Sequence, residues 1–518
     1  MTNRHRVLLI GLDAAEPALI RKWSAEGHLP HLHRLMGGGT EANLRSVAPE
    51  FPDEVWPSIY ASQNAAQTGK YYYIQLQPGT LKFHMLDDKP RGMQFWSIAS
   101  KAGRRCAVID APKTALAPAI NGLQIANWGC HATRCETASH PPELLQQVLN
   151  DYGPYPLPTC DIHSRTLNDY RDLHQKMLAG IEMRERLLGN LLSSEPWDLF
   201  FCGFCETHCA GHQLWHLQED FPLDDESIDL HTGLRDVYQA VDRAIGSLIE
   251  RAGPDACTIV FSGHGMQPQY HGRDLLAGLL ELWGLSGPIR KEPGAAAERV
   301  VVGKKDVVQR LKDAVPIRWQ YAVKHAVPQK LERALIARFM GREAADPRAL
   351  AFSMPNNELV ATIRVNLEGR DPQGWTPAGR AFEELCDWIG TRFRELINPA
   401  TGLPAIAGIS TMKDSYSGPH MDLLPDLTAR WSGEAPLDRV YSPGYGTVVG
   451  PHVDRRSGGH SGEGFLVARD SAGRAVFDLR GACGKDLAPT VLRLLDVPIP
   501  SVMEGRSLTR NPAATLAS

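Results

Sequence analysis

The chain has 518 residues, of which 43% are hydrophobic and 22% are charged, and its formal net charge is -4. This composition is typical of a globular protein with one large domain that carries insertions, or with two to three domains. The near balance of charges predicts no broad basic surface, which argues against a nucleic acid polymer or an anionic membrane as a partner.

The sequence also favours a cytoplasmic location. The first apolar run, residues 7–12, is too short for the core of a signal peptide, and Asp13 follows it at once. No window approaches the ~18 uninterrupted apolar residues of a membrane span. The ten cysteines form no regular framework, so we expect reduced thiols. The sequence leaves the oligomeric state open.

Apolar runs alternate with amphipathic stretches along most of the chain. Strands followed by helices in this rhythm predict an α/β fold, with a mostly parallel central sheet and helices on both of its faces. In chain order, the pattern predicts a strand at 7–12, a helix at 17–26, a strand at 106–110, a helix at 167–192, a strand at 198–204, helices at 208–217 and 234–252, and strands at 257–261 and 464–468.

Residues 288–422 interrupt this rhythm. The segment begins with amphipathic stretches rich in lysine and arginine at 304–338, and it continues with a predicted strand at 358–366 and a predicted helix at 377–397. We interpret 288–422 as an insertion, or cap, between two parts of one core domain formed by 1–287 and 423–518.

Side chains capable of binding a metal follow several of the predicted strands. Asp13 follows the first strand, His264 follows the strand at 257–261, and His208 and His212 follow the strand at 198–204. His208 and His212 are four residues apart, so they share one face of a helix and can bind one ion. Because ligands collect at the carboxyl ends of parallel strands, the pattern predicts one site. Taken singly, Asp13 could instead be a helix cap, and the histidines could be surface residues.

Several segments together resemble the type I phosphodiesterase/nucleotide pyrophosphatase branch of the alkaline phosphatase superfamily. These segments are the opening strand with Asp13, Trp56-Pro-Ser-Ile-Tyr-Ala-Ser62, Glu206-Thr-His-Cys-Ala-Gly-His212, Ser262-Gly-His-Gly-Met266, the glycine-rich loop around His460, and Pro425-Asp-Leu-Thr-Ala-Arg-Trp431. The resemblance implies two metal ions. One would be bound by positions 208, 212 and 460, and the other by Asp13, the nucleophile and positions 263 and 264.

Three departures from the family pattern fall on catalytic positions. The family has aspartate where this chain has His208 and Gly263, and threonine or serine where it has Pro52. The first ion would then be bound by His208, His212 and His460. Three neutral imidazoles with an open fourth position suit zinc, which is the first choice of metal, with manganese or iron as alternatives. A water activated by this ion could replace the missing nucleophile.

The second ion has fewer ligands than the family pattern provides. Only Asp13 and His264 remain, and two ligands hold a divalent ion poorly, so the sequence predicts one or two ions. Asp53, next to the expected nucleophile, could supply a third ligand or act as a base, and attack by its carboxylate is the alternative. His271 and His452 are reserve ligand candidates, although both could be ordinary loop residues.

Lys70 and Tyr72 are the predicted substrate-binding residues, because they lie in a basic and aromatic cluster just after the expected nucleophile segment. Burial in the core is the commoner reason for such an aromatic run, and Lys70 could equally be a solvated surface charge. Arg273 could neutralise an anionic ester, and Glu206 is predicted to support the ligands rather than to react.

The first functional hypothesis is a metal-dependent hydrolase of a phosphate ester or phosphodiester, acting on a small anionic ester through metal-activated water or an atypical nucleophile. The alternative is a phospho- or sulfo-group transferase, or a sulfatase-like enzyme, of a specialised biosynthetic pathway, because the superfamily includes such activities. The third is a catalytically decayed member that binds a ligand.

Overall fold

The computed structural model describes residues 5–87, 89, 91–130, 135–157, 166–218, 220–221, 225–287, 299–303, 315, 319, 345–357, 359–450, 456–470 and 476–510. The reserve candidate His452 lies outside the described residues, as does almost all of the basic stretch predicted at 304–338.

An eight-stranded sheet forms the centre of the molecule. Its strands are β1 (Arg6–Leu12), β2 (Thr40–Arg45), β3 (Cys106–Ile109), β4 (Gly122–Ala126), β5 (Ala138–His140), β6 (Leu199–Phe204), β7 (Ala256–Ser262) and β8 (Glu463–Asp470), in the order β2-β8-β7-β1-β6-β3-β4-β5. The five strands from β7 to β4 in this order are parallel to one another. β8 runs antiparallel to both of its neighbours, and β5 runs antiparallel to β4. The predicted fold class is confirmed.

Helices cover both faces of this sheet because successive side chains of a strand point to opposite sides. In β1, Leu8 and Ile10 join one hydrophobic cluster, whereas Val7 and Leu9 join another. The helices on the first face are Pro17–Ala25, Pro30–Gly38, Pro142–Asp151, Leu167–Ser194, Glu206–Leu214 and Gly233–Ala252. Those on the second face are Val55–Ala61, Ala65–Thr68, Phe95–Lys101 and Leu487–Leu494.

The predicted core elements differ from the observed ones mainly at their ends. Helix Leu167–Ser194 begins where a capping box between Thr166 and Asp169 satisfies the first backbone N–H groups. The helix predicted at 208–217 instead begins at Glu206 and ends at Leu214, followed by a 3-10 turn, Trp215–Leu217. No pattern in the sequence predicted β2, because this strand at the sheet edge is mostly polar and only one of its residues is buried.

A third hydrophobic cluster is formed by residues between Leu275 and Val448. It contains helices Leu276–Leu282 and Arg380–Arg394, a four-stranded antiparallel sheet (Ala351–Ser353, Val360–Val365, Leu427–Trp431, Ile406–Thr411) and a three-stranded sheet (Arg299–Val302, Gly446–Val449, Arg439–Ser442). The division of the chain at 288 and 422 stays a prediction. Among the described helices, none is long and apolar enough to cross a membrane.

Candidate metal centre

The loops that carry the predicted ligands meet at one edge of the central sheet. In the sheet register, Leu12 at the end of β1 lies beside Phe204 at the end of β6, and Gly11 lies beside Phe261 near the end of β7. All three strands are parallel, so the segments that follow them leave the sheet side by side. This is the edge at which the sequence predicted a site.

The helix Glu206–Leu214, which we call the ligand helix, is fixed at both ends. Near its start, the Thr207 hydroxyl donates a hydrogen bond of 2.6 Å to the carbonyl oxygen of Asp13. At its end, the carbonyl oxygen of His212 accepts a 2.9 Å hydrogen bond from the backbone N–H of Ser457. A Cβ on Gly458 would lie 2.0 Å from the carbonyl oxygen of Gly211, so this close approach requires glycine.

These contacts bring His208, His212 and His460 together. Their ligand atoms all lie within 4.8 Å of one another, and the Nε2 atoms of His208 and His212 are 3.2 Å apart. A tetrahedral zinc ion with Zn–N bonds of about 2.0–2.1 Å places two ligand nitrogens about 3.3 Å apart. The His208–His212 spacing therefore fits a single metal ion, and His460 lies near enough to be its third ligand.

Hydrogen bonding and burial also prepare these imidazoles for a metal. The Nδ1 atom of His212 lies 2.6 Å from the carbonyl oxygen of Gly458, so Nδ1–H donates and Nε2 keeps its lone pair for an ion. Burial, followed by the charges of His264, His212, Arg456 and Lys113, lowers the pKa of His460 well below its ordinary value. His460 is therefore neutral at neutral pH, as a ligand must be.

Asp13 and His264 form a neighbouring pair. His264 Nε2 lies 3.8 Å from Asp13 Oδ1, and the His264 ring centroid lies 4.7 Å from that of His460. The indole Nε1 of Trp56 donates a 2.6 Å hydrogen bond to the same oxygen of Asp13. Thus the structure places all five predicted metal ligands at one edge of the sheet, with three of them in a compact cluster.

The space beside Gly263 is filled by apolar side chains. A Cβ on Gly263 would lie 2.5 Å from Cγ1 of Val55 and 2.9 Å from Cδ1 of Ile59. A side chain at 263 would therefore have to displace the side chains of Val55 and Ile59. The packing around Gly263 therefore leaves no room for the aspartate of the family pattern.

Asp53 lies in the 3-10 turn Pro52–Glu54 and is almost completely buried. Its Oδ1 accepts a 2.7 Å hydrogen bond from the Nζ of Lys113, whose side chain is 22% exposed. Asp53 is not part of the three-histidine cluster. The structure thus presents Asp53 as one half of an ion pair.

Lys113 was missed by the sequence analysis, although a signal for it existed. It follows β3 by four residues, at the same edge of the sheet, in Asp110-Ala-Pro-Lys113. Its backbone has φ of +55°, a left-handed conformation that is unfavourable for a residue with a side chain. The strand-end argument that selected Asp13 and His264 would also have selected Lys113.

The predicted substrate-binding residues are buried. Lys70 forms a 3.3 Å ion pair with Glu54, in which both side chains are at most 3% exposed. Tyr72 packs on Tyr73, with ring centroids 4.4 Å apart. Lys70 and Lys113 nevertheless line one small cavity, so a role for Lys70 near the substrate stays a prediction.

Glu206 belongs to a buried network, and its predicted supporting role stays a prediction. Its Oε1 accepts hydrogen bonds from the Tyr155 hydroxyl and, at 3.1 Å, from Nε of Arg184. Arg184 also donates a 2.6 Å hydrogen bond to Asp110. The reserve candidate His271 lines a small cavity together with His460.

The chain is similar to one known protein family and to several solved structures. The model of the type I phosphodiesterase / nucleotide pyrophosphatase family matches residues 7–335. Phosphonoacetate hydrolase from Sinorhizobium meliloti 1021, solved with phosphonoacetate, is 15% identical, with 90% of each chain covered and a TM-score of 0.46. Murine ectonucleotide pyrophosphatase / phosphodiesterase 5 is 13% identical over 98% of this chain and 100% of that chain, with a TM-score of 0.46.

No protein among the curated sequences is similar enough to count as a relative. The family match covers well over half of the chain, and the family consists of phosphoester hydrolases that typically depend on divalent metals. The chain therefore belongs to the type I phosphodiesterase / nucleotide pyrophosphatase family.

Proposed function

We propose that this protein is a metal-dependent hydrolase of a small phosphate ester or phosphodiester, with a divalent ion, zinc as first choice, bound by His208, His212 and His460. The observation that carries the proposal is the convergence of these three imidazoles at the carboxyl edge of the sheet, with ligand atoms within 4.8 Å of one another. Such an ion, when bound, polarises a phosphoryl oxygen and lowers the pKa of a coordinated water to about 7.

Lys113 is the proposed binding group for the phosphoryl oxygens. Its ammonium is partly exposed, and its charge lowers the pKa of both His264 and His460, although burial is the larger cause for each of them. Its partner Asp53 lies two residues before Val55, and the Val55 side chain packs against Gly263, the neighbour of His264. Lys113 therefore lies near the histidines. A cation here stabilises the negative charge that builds up on a phosphoryl group during displacement.

Asp53 is the proposed base. It holds Lys113 through the 2.7 Å contact at Oδ1, and its carboxylate can take a proton from an attacking water. Attack by Asp53 itself is the less favoured course, because an ammonium bound to a carboxylate reduces its nucleophilicity.

The substrate is proposed to be small and anionic. Both lysines are paired with a carboxylate, but the Lys70–Glu54 pair is almost completely buried, whereas the Lys113 side chain is 22% exposed. A compact phosphate group can therefore reach the Lys113 ammonium. Hydrolysis of aryl phosphate esters and diesters is therefore the first activity to measure.

The test begins with metal analysis of the purified protein, followed by assays on aryl phosphate monoesters, aryl phosphate diesters and aryl sulfates. Chelation should abolish hydrolysis, and zinc should restore it. His212→Ala should lose both metal and turnover, whereas His33→Ala, which changes an exposed histidine of helix Pro30–Gly38, should keep both. Full activity of the His212→Ala variant would refute the site.

The same assays separate the alternative functions. Turnover only when an acceptor alcohol or amine is added would identify a transferase, and turnover of sulfates alone would identify a sulfatase-like enzyme. A protein that binds zinc but turns over none of these esters would support the decayed, ligand-binding alternative.

A further inference from the structure

The surroundings of Asp13 and His264 offer little to a second metal ion. Oδ1 of Asp13 accepts a hydrogen bond from Trp56 and faces His264 at 3.8 Å. The Pro52 side chain has no atom that can bind a metal. A side chain at position 263 would run into Val55 and Ile59. A divalent ion normally has four or more ligands, so one carboxylate and one imidazole make an incomplete site.

Asp53, the carboxylate that could complete such a site, is engaged by a cation already. Its Oδ1 lies 2.7 Å from Nζ of Lys113, in a pair in which the Asp53 side chain is 2% exposed. An ion that used Asp53 as a ligand would have to displace this ammonium or lie against it. Like charges at that separation repel strongly in a buried site.

Lys113 is held in this position by its own loop. Asp110, three residues earlier, also has a positive φ, of +51°, and accepts a hydrogen bond from Arg184. The backbone carbonyl of Pro112 accepts a 2.8 Å hydrogen bond from the buried Tyr60 hydroxyl. Two left-handed residues, together with the buried hydrogen bonds at Asp110 and Pro112, indicate that the fold positions the ammonium.

We propose that this protein binds one divalent ion, at His208, His212 and His460, and that the Lys113 ammonium supplies the second positive charge of the site, paired with Asp53 and facing the phosphoryl oxygens of the substrate. The number of ions is independent of the reaction catalysed. The role of Lys113 toward a phosphoryl group rests on the proposed function.

The first part of the test counts ions. Protein stripped with a chelator, reloaded with excess zinc and freed of unbound metal is expected to hold one ion per chain by elemental analysis. His460→Ala should then hold none. Two ions per chain in the wild type, both retained through gel filtration, would overturn the proposal.

The second part measures the binding of inorganic phosphate to the zinc-loaded protein by calorimetry. Loss of a charge-assisted contact predicts that Lys113→Met weakens phosphate binding by about 10- to 100-fold, with zinc still at one ion per chain. Lys113→Arg should bind within a fewfold of wild type, and Lys101→Met, at an exposed helix end, should not differ from it. Unchanged phosphate affinity in the Lys113→Met variant would overturn the proposal.

These readouts separate this inference from the proposed function. Suppose the protein holds one ion per chain and its phosphate binding depends on Lys113, but it hydrolyses no ester. This result would support the inference and contradict the proposed hydrolase function. Ester hydrolysis by a protein holding two ions would do the reverse. Because neither ion counting nor phosphate binding requires turnover, each conclusion can fail alone.

Discussion

The indole Nε1 of Trp56 donates a buried hydrogen bond of 2.6 Å to Oδ1 of Asp13. Trp56 lies on helix Val55–Ala61 on one face of the sheet, and Asp13 follows the central strand β1. This bond therefore ties a helix of the second face to the edge where the histidines converge. Asp13 itself is not part of the three-histidine cluster.

Trp56→Phe removes this donor while keeping an aromatic ring. A hydrogen bond to a charged group contributes about 1.5–3 kcal/mol, so we expect a loss of that order in the free energy of unfolding, measured by urea titration. Zinc content should not change. Trp375→Phe is the matched control, because the Trp375 indole donates to a carbonyl oxygen at an exposed position. Loss of zinc in the Trp56→Phe variant would show that Asp13 takes part in the binding of the first ion.

Gly263→Ala tests the packing that replaces the missing aspartate. Its new methyl group would lie 2.5 Å from Cγ1 of Val55, and overpacking of this kind costs about 1–3 kcal/mol of folding free energy. Gly37→Ala is the control, because nothing lies within 4 Å of a Cβ at that helical position. Thermal unfolding of both variants should show a loss for Gly263→Ala alone.

Val55→Ala added to Gly263→Ala should recover part of that loss, since it removes the methyl group in the closest contact. The two changes should therefore be non-additive in a double-mutant cycle. Strict additivity would mean that Gly263→Ala acts through something other than the contact with Val55.

Arg184 is completely buried and donates hydrogen bonds to Glu206, at the start of the ligand helix, and to Asp110 in the loop that carries Lys113. Arg184→Met would leave two buried carboxylates without their cation, which costs about 3–5 kcal/mol. We expect a large fall in the urea midpoint together with weaker zinc binding. Arg171→Met, which removes an exposed ion pair with Asp229, should have a much smaller effect. Equal effects of the two changes would contradict the structural role of Arg184.

The stability of the metal-free protein should depend on pH through His460. Burial, followed by repulsion from neighbouring positive charges, lowers the pKa of His460 well below that of an unfolded histidine. Below about pH 6.5, His460 is therefore protonated in the unfolded chain but still neutral in the folded chain. Stability is lost as the pH falls from this value toward the pKa of His460 in the folded state. One such group gives a slope of about 1.4 kcal/mol per pH unit.

His460→Asn should reduce the slope of the unfolding free energy with pH by up to about 1.4 kcal/mol per pH unit, measured by urea unfolding between pH 7 and pH 5. Burial also lowers the pKa of His264, His174 and His216, so part of the slope should remain. An unchanged slope would contradict the burial of a neutral His460.

The sequence determined the sheet and most of its edge. Uninterrupted apolar runs ended by Asp13 or by Ser262-Gly263-His264 indicate buried parallel strands whose carboxyl ends meet, and a spacing of four residues places His208 and His212 on one helical face. These features follow from the two side-chain periods of the backbone, so local sequence was enough to predict them.

The family resemblance assigned His460 to that edge, but only the tertiary structure shows how it and the other distant partners reach it. His460 reaches its position because Gly458–Ser461 pairs with Gly265–Pro268 almost 200 residues earlier in the chain, where Met266 lies opposite His460. Lys113 meets Asp53 across 60 residues, and Val55 fills the space beside Gly263. Strand register and side-chain direction across such distances depend on how the whole core packs, and no local pattern in the sequence records them.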